Sequence, residues 1–484
     1  MNYRMVSYII GQIVRVEGIL MIPSLVVSVI YGESAFAAFL IPIVLSVAAG
    51  TLLTIKKPSN PDIFAKEGFV TVGLSWIIMS LIGALPFVID GCIPSFVDAF
   101  FETVSGFTTT GASILTEIES LGRGMLFWRS FTHFVGGMGV LVFVLAILPQ
   151  ADTRSVKLMH VMRAEVPGPK VGKLVSKIGR TARIMYGIYI GLTVIEMILL
   201  LAGGMPVYDS IVNSFATAGT GGFAIKNASI AAYDSAYIDY VIGIFMFLFG
   251  VNFNLYYLIL IGHVGEALRS EELRWYLIIT GVSTALIAAD IYEIFGTVGE
   301  SVRYAFFQVT SVMSTTGFAT SDYNAWPALS KVILALLMFC GACVGSTTGG
   351  IKVGRIILLV KSGLREVKYM LHPRAVVAVR SEGKPVERDV LRGANSYMIV
   401  YIMLFTASLF LVEMVEECDL VTGFTAVSAC LNNVGPGLGE VGPAGNFSAL
   451  TPFTKILLSV DMLAGRLEIF PLLMLFAPST WRGR

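Results

Sequence analysis

Residues 104–113 read VSGFTTTGAS, and residues 309–318 read VTSVMSTTGF. Each sets Thr-Thr-Gly directly behind a short apolar run. Two looser versions lie elsewhere, and side by side the four tracts are SGFTTTGAS (105–113), ATAGTGGFA (216–224), SVMSTTGFA (311–319) and ACLNNVGPG (429–437), with Gly111, Gly222, Gly317 and Gly435 in register. The apolar runs before them, at 94–107, 206–218, 300–314 and 420–431, are too short to cross a bilayer. Hydrophobic segments of about 10–14 residues are commonly re-entrant or interfacial. Repetition in a fixed order bears on the whole fold and is weighed before any single motif. The plain alternative is that each glycine caps the C-terminus of a re-entrant helix. A cap accounts for one glycine, but not for the Thr-Thr before it or for four occurrences.

The chain has 484 residues, 55% apolar and 14% charged, with a mean hydropathy of +0.78. Soluble domains carry about 25% charged residues, so this composition is that of an integral membrane protein. Five scattered cysteines form neither a disulfide framework nor a zinc site. The N-terminal stretch carries Arg15 and Glu17 within its apolar run and has no small-residue cleavage site, so it reads as retained. Candidate spans of roughly 20 apolar residues fall at 5–30, 35–55, 69–89, 125–149, 183–203, 236–262, 275–295, 328–360, 395–415 and 452–477. That number puts both termini on one side. Most of the 34 basic residues fall on that side, clustered at 154–183 and 352–392, which the positive-inside rule assigns to the cytoplasm. Without the first two spans, the chain repeats four times as span, half-helix, Gly tract, span. The expected units are an N-terminal helical hairpin (1–57) and four repeats at 68–150, 182–263, 274–362 and 394–480.

Irregular backbone at membrane depth is tolerated only where protein buries it or where it lines water. Four such tracts around one axis would turn carbonyls inward and replace the hydration shell of a monovalent cation. Glycine reaches positive φ without a Cβ clash, and half-helices ending at the axis aim partly negative C-termini at the ion. No tract residue is charged, which argues against a divalent-cation site. The candidate filter is Thr109, Thr110 and Gly111; Thr220, Gly221 and Gly222; Thr315, Thr316 and Gly317; Asn433, Val434 and Gly435.

These tracts resemble the Trk/Ktr/HKT superfamily of potassium transporters and, within it, the TrkH family. The resemblance covers essentially the whole chain and rests on FTTTGAS (107–113), GTGGFA (219–224), STTGFAT (314–320), NNVGPGLG (432–439), GSTTGGIKVGR (345–355) and DMLAGRLEIFPLL (461–473). It implies an all-α polytopic membrane protein with four span–pore-helix–span repeats around a central pore, plus two extra N-terminal transmembrane helices. It implies potassium uptake through a short filter, less stringent than that of simple potassium channels. It also implies a homodimer with one pore per subunit and a cytosolic nucleotide- and NAD-binding regulatory subunit of the TrkA kind. The transported ion is K+. No cofactor and no nucleic-acid partner are expected, and the expected location is the cytoplasmic membrane, with several passes.

Residues 328–360 would form a straight helix roughly 50 Å long at 1.5 Å per residue, too long for the bilayer. Glycines and hydroxyls crowd its middle, CGACVGSTTGGIKVG (340–354), so a broken helix with a polar loop is expected; close helix packing through small residues is the alternative. In the resembled family this segment obstructs the pore beneath the filter, which nominates Gly345, Ser346, Thr347, Thr348, Gly349 and Gly350 as a gate. Arg466 lies near the centre of the last expected span, where a charge costs at least about 2.5 kcal/mol and must face a partner, water or the interior. Glu468 or Asp461 could pair with it, although on a helix Glu468 points elsewhere. The family reading places Arg466 in the pore just inside the filter. Asn252 and Asn254 suit interhelical hydrogen bonds as well as pore lining, and His133 reads as a packed, hydrogen-bonded histidine. The basic loops at 150–183 and 361–392 read as orientation signals or as docking surfaces.

Competing readings are a sodium-coupled or weakly selective KtrB-like transporter, a carrier with broken helices around a midplane site, and an intramembrane enzyme using Asp461 or His133. The enzyme reading lacks paired aspartates, a Ser–His arrangement or a metal-binding helix.

Overall fold

A computed structural model describes residues 1–58, 60, 64–139, 178–374 and 377–481. The chain opens with α1 (Tyr3–Leu20), α2 (Ile22–Ile30) and α3 (Phe36–Thr54). Helices α1 and α3 approach through small residues. A methyl on Gly50 would come within 2.7 Å of the Arg15 amide, and one on Gly18 would touch Ser46 Cβ at 3.0 Å. Small-residue seams let helix backbones approach closely where no hydrophobic force separates helix from lipid. Gly50→Val should therefore lower the melting point in detergent by the equivalent of about 1–3 kcal/mol, the usual range for overpacking. Ion selectivity should be unaffected, and an unchanged melting curve would refute the seam.

The first repeat holds α4 (Ala65–Gly83), α5 (Leu85–Asp90), α6 (Phe96–Phe107) and α7 (Arg123–Gly137). The second holds α8 (Ile178–Ala202), α9 (Val207–Gly219), α10 (Ala236–Phe249) and α11 (Phe253–Leu260). The third holds α12 (Glu271–Asp290), α13 (Val298–Met313), α14 (Ala328–Cys340) and α15 (Val353–Leu371). After a small antiparallel hairpin, β1 (Arg380–Ser381) with β2 (Lys384–Pro385), the fourth holds α16 (Arg388–Val415), α17 (Leu420–Leu431), α18 (Pro452–Arg466) and α19 (Phe470–Phe476). The half-helices α6, α9, α13 and α17 are buried over most of their length, and the apolar cores form around them. Their starts are written in sequence. Ser95, Thr297 and Asp419 accept hydrogen bonds from backbone amides of the first turn, and Asp98, Asp209 and Glu300 place negative charge there, where the helix dipole favours it.

Six helices among the described residues are long and apolar enough to cross a membrane, or seven if one bent pair counts as a single span. Ten crossings were expected from sequence; of the four that do not form one long straight helix, three are broken and one lies partly outside the described residues. The second half of the expected span at 125–149 and most of the basic loop at 150–183 lie outside the described residues. The expected span at 236–262 bends by 92° between α10 and α11. The span at 328–360 breaks at 341–352, as its glycines suggest. The last span breaks after Arg466, where Glu468 (φ 53°) enters the left-handed region, the Ile469 amide bonds the Ala464 carbonyl at 2.7 Å, and Pro471 follows. This is the Schellman way of ending a helix.

Candidate ion pathway

All four half-helices end by one device. Thr109, Thr220, Thr315 and Asn433 have φ of 54–56°. The amide of the following residue reaches back five positions, from Thr110 to Ser105, Gly221 to Ala216, Thr316 to Ser311 and Val434 to Ala429, at 2.8–2.9 Å. The helix cap is thus a threonine or asparagine, and the aligned glycine lies two residues further on, also at positive φ: Gly111 84°, Gly222 73°, Gly317 86° and Gly435 99°. Capping does not explain these glycines.

Their neighbours do. A methyl on Gly111 would fall on the Gly221 carbonyl, one on Gly222 on the Thr316 carbonyl, one on Gly317 on the Val434 carbonyl, and one on Gly435 within 2.7 Å of the Thr110 carbonyl. The contacts run from the first tract to the second, third and fourth and back to the first, so the tracts form a ring in chain order. One open cavity of about 150 Å³ touches all four glycines. Thr110 Oγ1 bonds Thr108 Oγ1 at 2.8 Å, Thr316 Oγ1 bonds Ser314 Oγ at 2.7 Å, and Asn433 Nδ2 donates to Thr110 Oγ1 at 2.9 Å.

The segment between α14 and α15 docks against this ring. The Gly349 amide donates to Thr315 Oγ1 at 2.8 Å, and a methyl on Gly349 would strike the Asn432 carbonyl. The Gly345 carbonyl accepts from the Phe253 amide at 3.1 Å, and the Cys343 amide bonds the Gly250 carbonyl at 3.0 Å. The backbone groups freed by the bend between α10 and α11 are therefore satisfied by the break in the third repeat, as low-dielectric surroundings demand. Ser346 Oγ donates to the Cys343 carbonyl at 2.6 Å and meets Thr348 Oγ1 at 2.8 Å, Thr347 Oγ1 donates to the Phe249 carbonyl at 3.3 Å, and Gly350 (φ 75°) packs on Gly341.

Arg466 ends α18 instead of lying mid-helix. Its guanidinium donates to the Thr347 carbonyl and the Gly137 carbonyl, each at 2.6 Å, and to the Gly136 carbonyl. It thereby straps the polar segment of the third repeat to the end of α7 in the first. Glu468 pairs with Arg355, and Asp461 accepts from Ser408 at 2.8 Å. The sequence candidates thus gather into two layers, ring and polar segment. Asn252 acts as the N-cap of α11, its Oδ1 accepting from the Asn254 amide at 2.9 Å.

Two residues escaped the sequence reading. Glu272 Oε1 accepts from the Val344 amide at 2.8 Å and the Gly354 amide at 2.9 Å, holding both ends of the polar segment. In sequence it is one acid of EELRW at the start of a span, where acids are ordinary. Lys352 was counted with the basic loop at 352–392; the structure buries it at φ 77°, and its Nζ turns back to the Thr348 carbonyl and to Thr348 Oγ1 at 3.0 Å.

The family model TrkH, described as a cation transport protein, matches residues 35–482. The chain is 37% identical over 489 residues to the Trk system potassium uptake protein TrkH of Escherichia coli (strain K12), covering 100% of both chains. It is 35% identical over 493 residues to the protein of the same name from Halomonas elongata, again covering 100% of both. Its fold matches the crystal structure of the potassium transporter TrkH from Vibrio parahaemolyticus with a TM-score of 0.89 and 31% identity, covering 100% of both chains. The chain is a polytopic all-α membrane protein and belongs to the TrkH family, a family of transporters and not of enzymes.

Proposed function

We propose that the chain takes up potassium through the ring of four tracts, with Thr109 to Gly111, Thr220 to Gly222, Thr315 to Gly317 and Asn433 to Gly435 as the walls of a selectivity filter. The observation that carries this is the closed ring itself: four tracts of one backbone shape, each glycine seated on the next tract's carbonyl, all four at one cavity. The Thr109 hydroxyl and Asn433 Oδ1 are buried without a protein partner, which adds oxygens that a dehydrated cation can use. The names of the curated relatives, potassium uptake proteins, support the choice of ion. Rubidium uptake by the purified protein in liposomes, with sodium as competitor, tests the assignment. Equal competition by sodium would sink it in favour of the weakly selective, KtrB-like reading, to which the unequal walls Thr220-Gly221 and Asn433-Val434 lend weight.

In this reading Gly345 to Gly350 and Arg466 form the gate. Glu272 latches it, and Glu272→Ala would leave two buried amides unpaired at about 1–3 kcal/mol each. Basal rubidium flux should rise several-fold with selectivity unchanged; unaltered flux at matched protein level would remove Glu272 from the gate. Both termini lie in the cytoplasm of an inner-membrane protein, and the pore lies within each subunit of a homodimer. The relatives are named as parts of a Trk system, in keeping with a cytosolic nucleotide- and NAD-binding regulatory subunit of the TrkA kind. The end of α15, with Arg365, Lys368 and exposed Tyr369, Met370 and Leu371, offers that partner a basic surface carrying apolar anchors.

A further inference from the structure

The second tract is the odd one. Where the others carry Thr110, Thr316 and Val434, it carries Gly221, and its backbone does not require a glycine, because Gly221 is absent from the residues at positive φ. The space for a side chain is taken. A methyl on Gly221 would fall inside the imidazole of His133, which reaches across from α7. His133 is fully buried, its Nδ1 lies 2.7 Å from the Gly106 carbonyl at the end of α6, and its Nε2 lies 3.2 Å from the Phe223 amide. The ring also packs against Phe223, tilted by 36° with 4.2 Å between centroids.

The partners dictate the proton's position. A carbonyl can only accept and a backbone amide can only donate, so Nδ1 carries the hydrogen and Nε2 accepts. The imidazole therefore joins the carbonyl that closes the first half-helix to the amide just after Gly222. One turn earlier on α7, Arg129 Nε pairs with Glu102 at 2.6 Å and its Nη1 donates to the Ala224 carbonyl at 2.8 Å, while Glu102 accepts from the Ser113 hydroxyl and the Ile114 amide, each at 3.0 Å. This second link joins the same two repeats beyond the glycines.

We propose that His133 is a specificity-determining positioning residue, standing in for the side chain missing at Gly221 and fixing the spacing of the first and second walls, with Arg129 and Glu102 as its companion brace. The inference rests on reading the four tracts as a filter. In the first and third tracts the middle threonine ties its wall through a hydroxyl two residues back; in the second, His133 does so from outside.

His133→Phe keeps the ring and removes both hydrogen bonds. At matched protein level in liposomes it should lower the rubidium-over-sodium ratio about tenfold, the scale of one hydrogen-bond free energy, while monovalent flux persists. His133→Ala combined with Gly221→Thr, which returns a side chain to the wall, should recover most of that ratio, although each change alone lowers it. A wild-type ratio in His133→Phe would overturn the inference. If Gly317→Ser also left the ratio unchanged, the filter reading itself would be what failed. A readout that needs no change at His133 is nitrogen NMR of protein in which His160, His263 and His372 are replaced by Gln. The remaining histidine should be neutral with its proton on Nδ1, and a proton on Nε2 or a charged ring at neutral pH would also overturn the inference.

Discussion

Replacing Arg466 with alanine is expected to raise rubidium flux through the purified protein in liposomes about tenfold. The guanidinium bonds three backbone carbonyls, those of Thr347, Gly136 and Gly137, so in the proposed gate it would strengthen closure in two ways. As a strap, it ties the polar segment under the ring to α7, and hydrogen bonds to a charged group contribute about 1.5–3 kcal/mol each. As a fixed charge, it opposes a passing cation; at an effective dielectric near 20, two unit charges about 4 Å apart repel by about 4 kcal/mol. Water and the bonded carbonyls screen much of that, and tenfold needs only about 1.4 kcal/mol. Alanine also frees three carbonyl oxygens that attract cations, an effect of the same sign. Arg466→Lys separates the two contributions, because it keeps the charge and lacks the fork that spans both sides; its flux should fall between the others. Flux unchanged in Arg466→Ala at normal protein level would remove Arg466 from the gate.

Gly317→Ser should reduce discrimination between rubidium and sodium by at least about tenfold or abolish transport. Its Cβ would fall on the Val434 carbonyl and within 2.7 Å of Pro436 Cδ, so the third and fourth walls must separate. The backbone, at φ 86°, adds strain of about 1–3 kcal/mol for a residue with a side chain. Gly204→Ser is the matched control. It has the same φ of 86° and nothing within 4 Å of a built Cβ, so it should show the strain as a small loss of stability and leave selectivity alone. If both variants transport alike, the ring of glycines is not the filter.

The tracts, their order and their glycines were legible because they repeat, and the half-helices because their apolar runs are too short to cross a bilayer. The helix break at 341–352 was legible from its glycine density. Other features had no local signal. Thr109, Thr220 and Thr315 sit in the left-handed region that β-branched residues avoid, so no turn rule assigns them; the capping bond within each tract and the contacts between tracts hold them there. Glu468 and Ile469 likewise end α18 with residues that ordinarily continue a helix, and for that reason the helical-wheel argument about Arg466 was made on a helix that stops. It still set Glu468 apart from Arg466, and Glu468 pairs with Arg355. The bend between α10 and α11 depends on partners in the third repeat, nearly a hundred positions away and invisible to any window of sequence.

The contacts among the four glycines have a consequence for how the pore is made. Each wall is seated on the next, and the last closes on the first, as stones do in an arch. The strained residues at their ends are held by the capping bond of their own tract, but no glycine meets its neighbouring carbonyl until the next tract is in place. If the ring is the filter, as proposed, no ion path is complete until the fourth tract closes on the first. A chain that lacks its last repeat would then have no selective path for the ion.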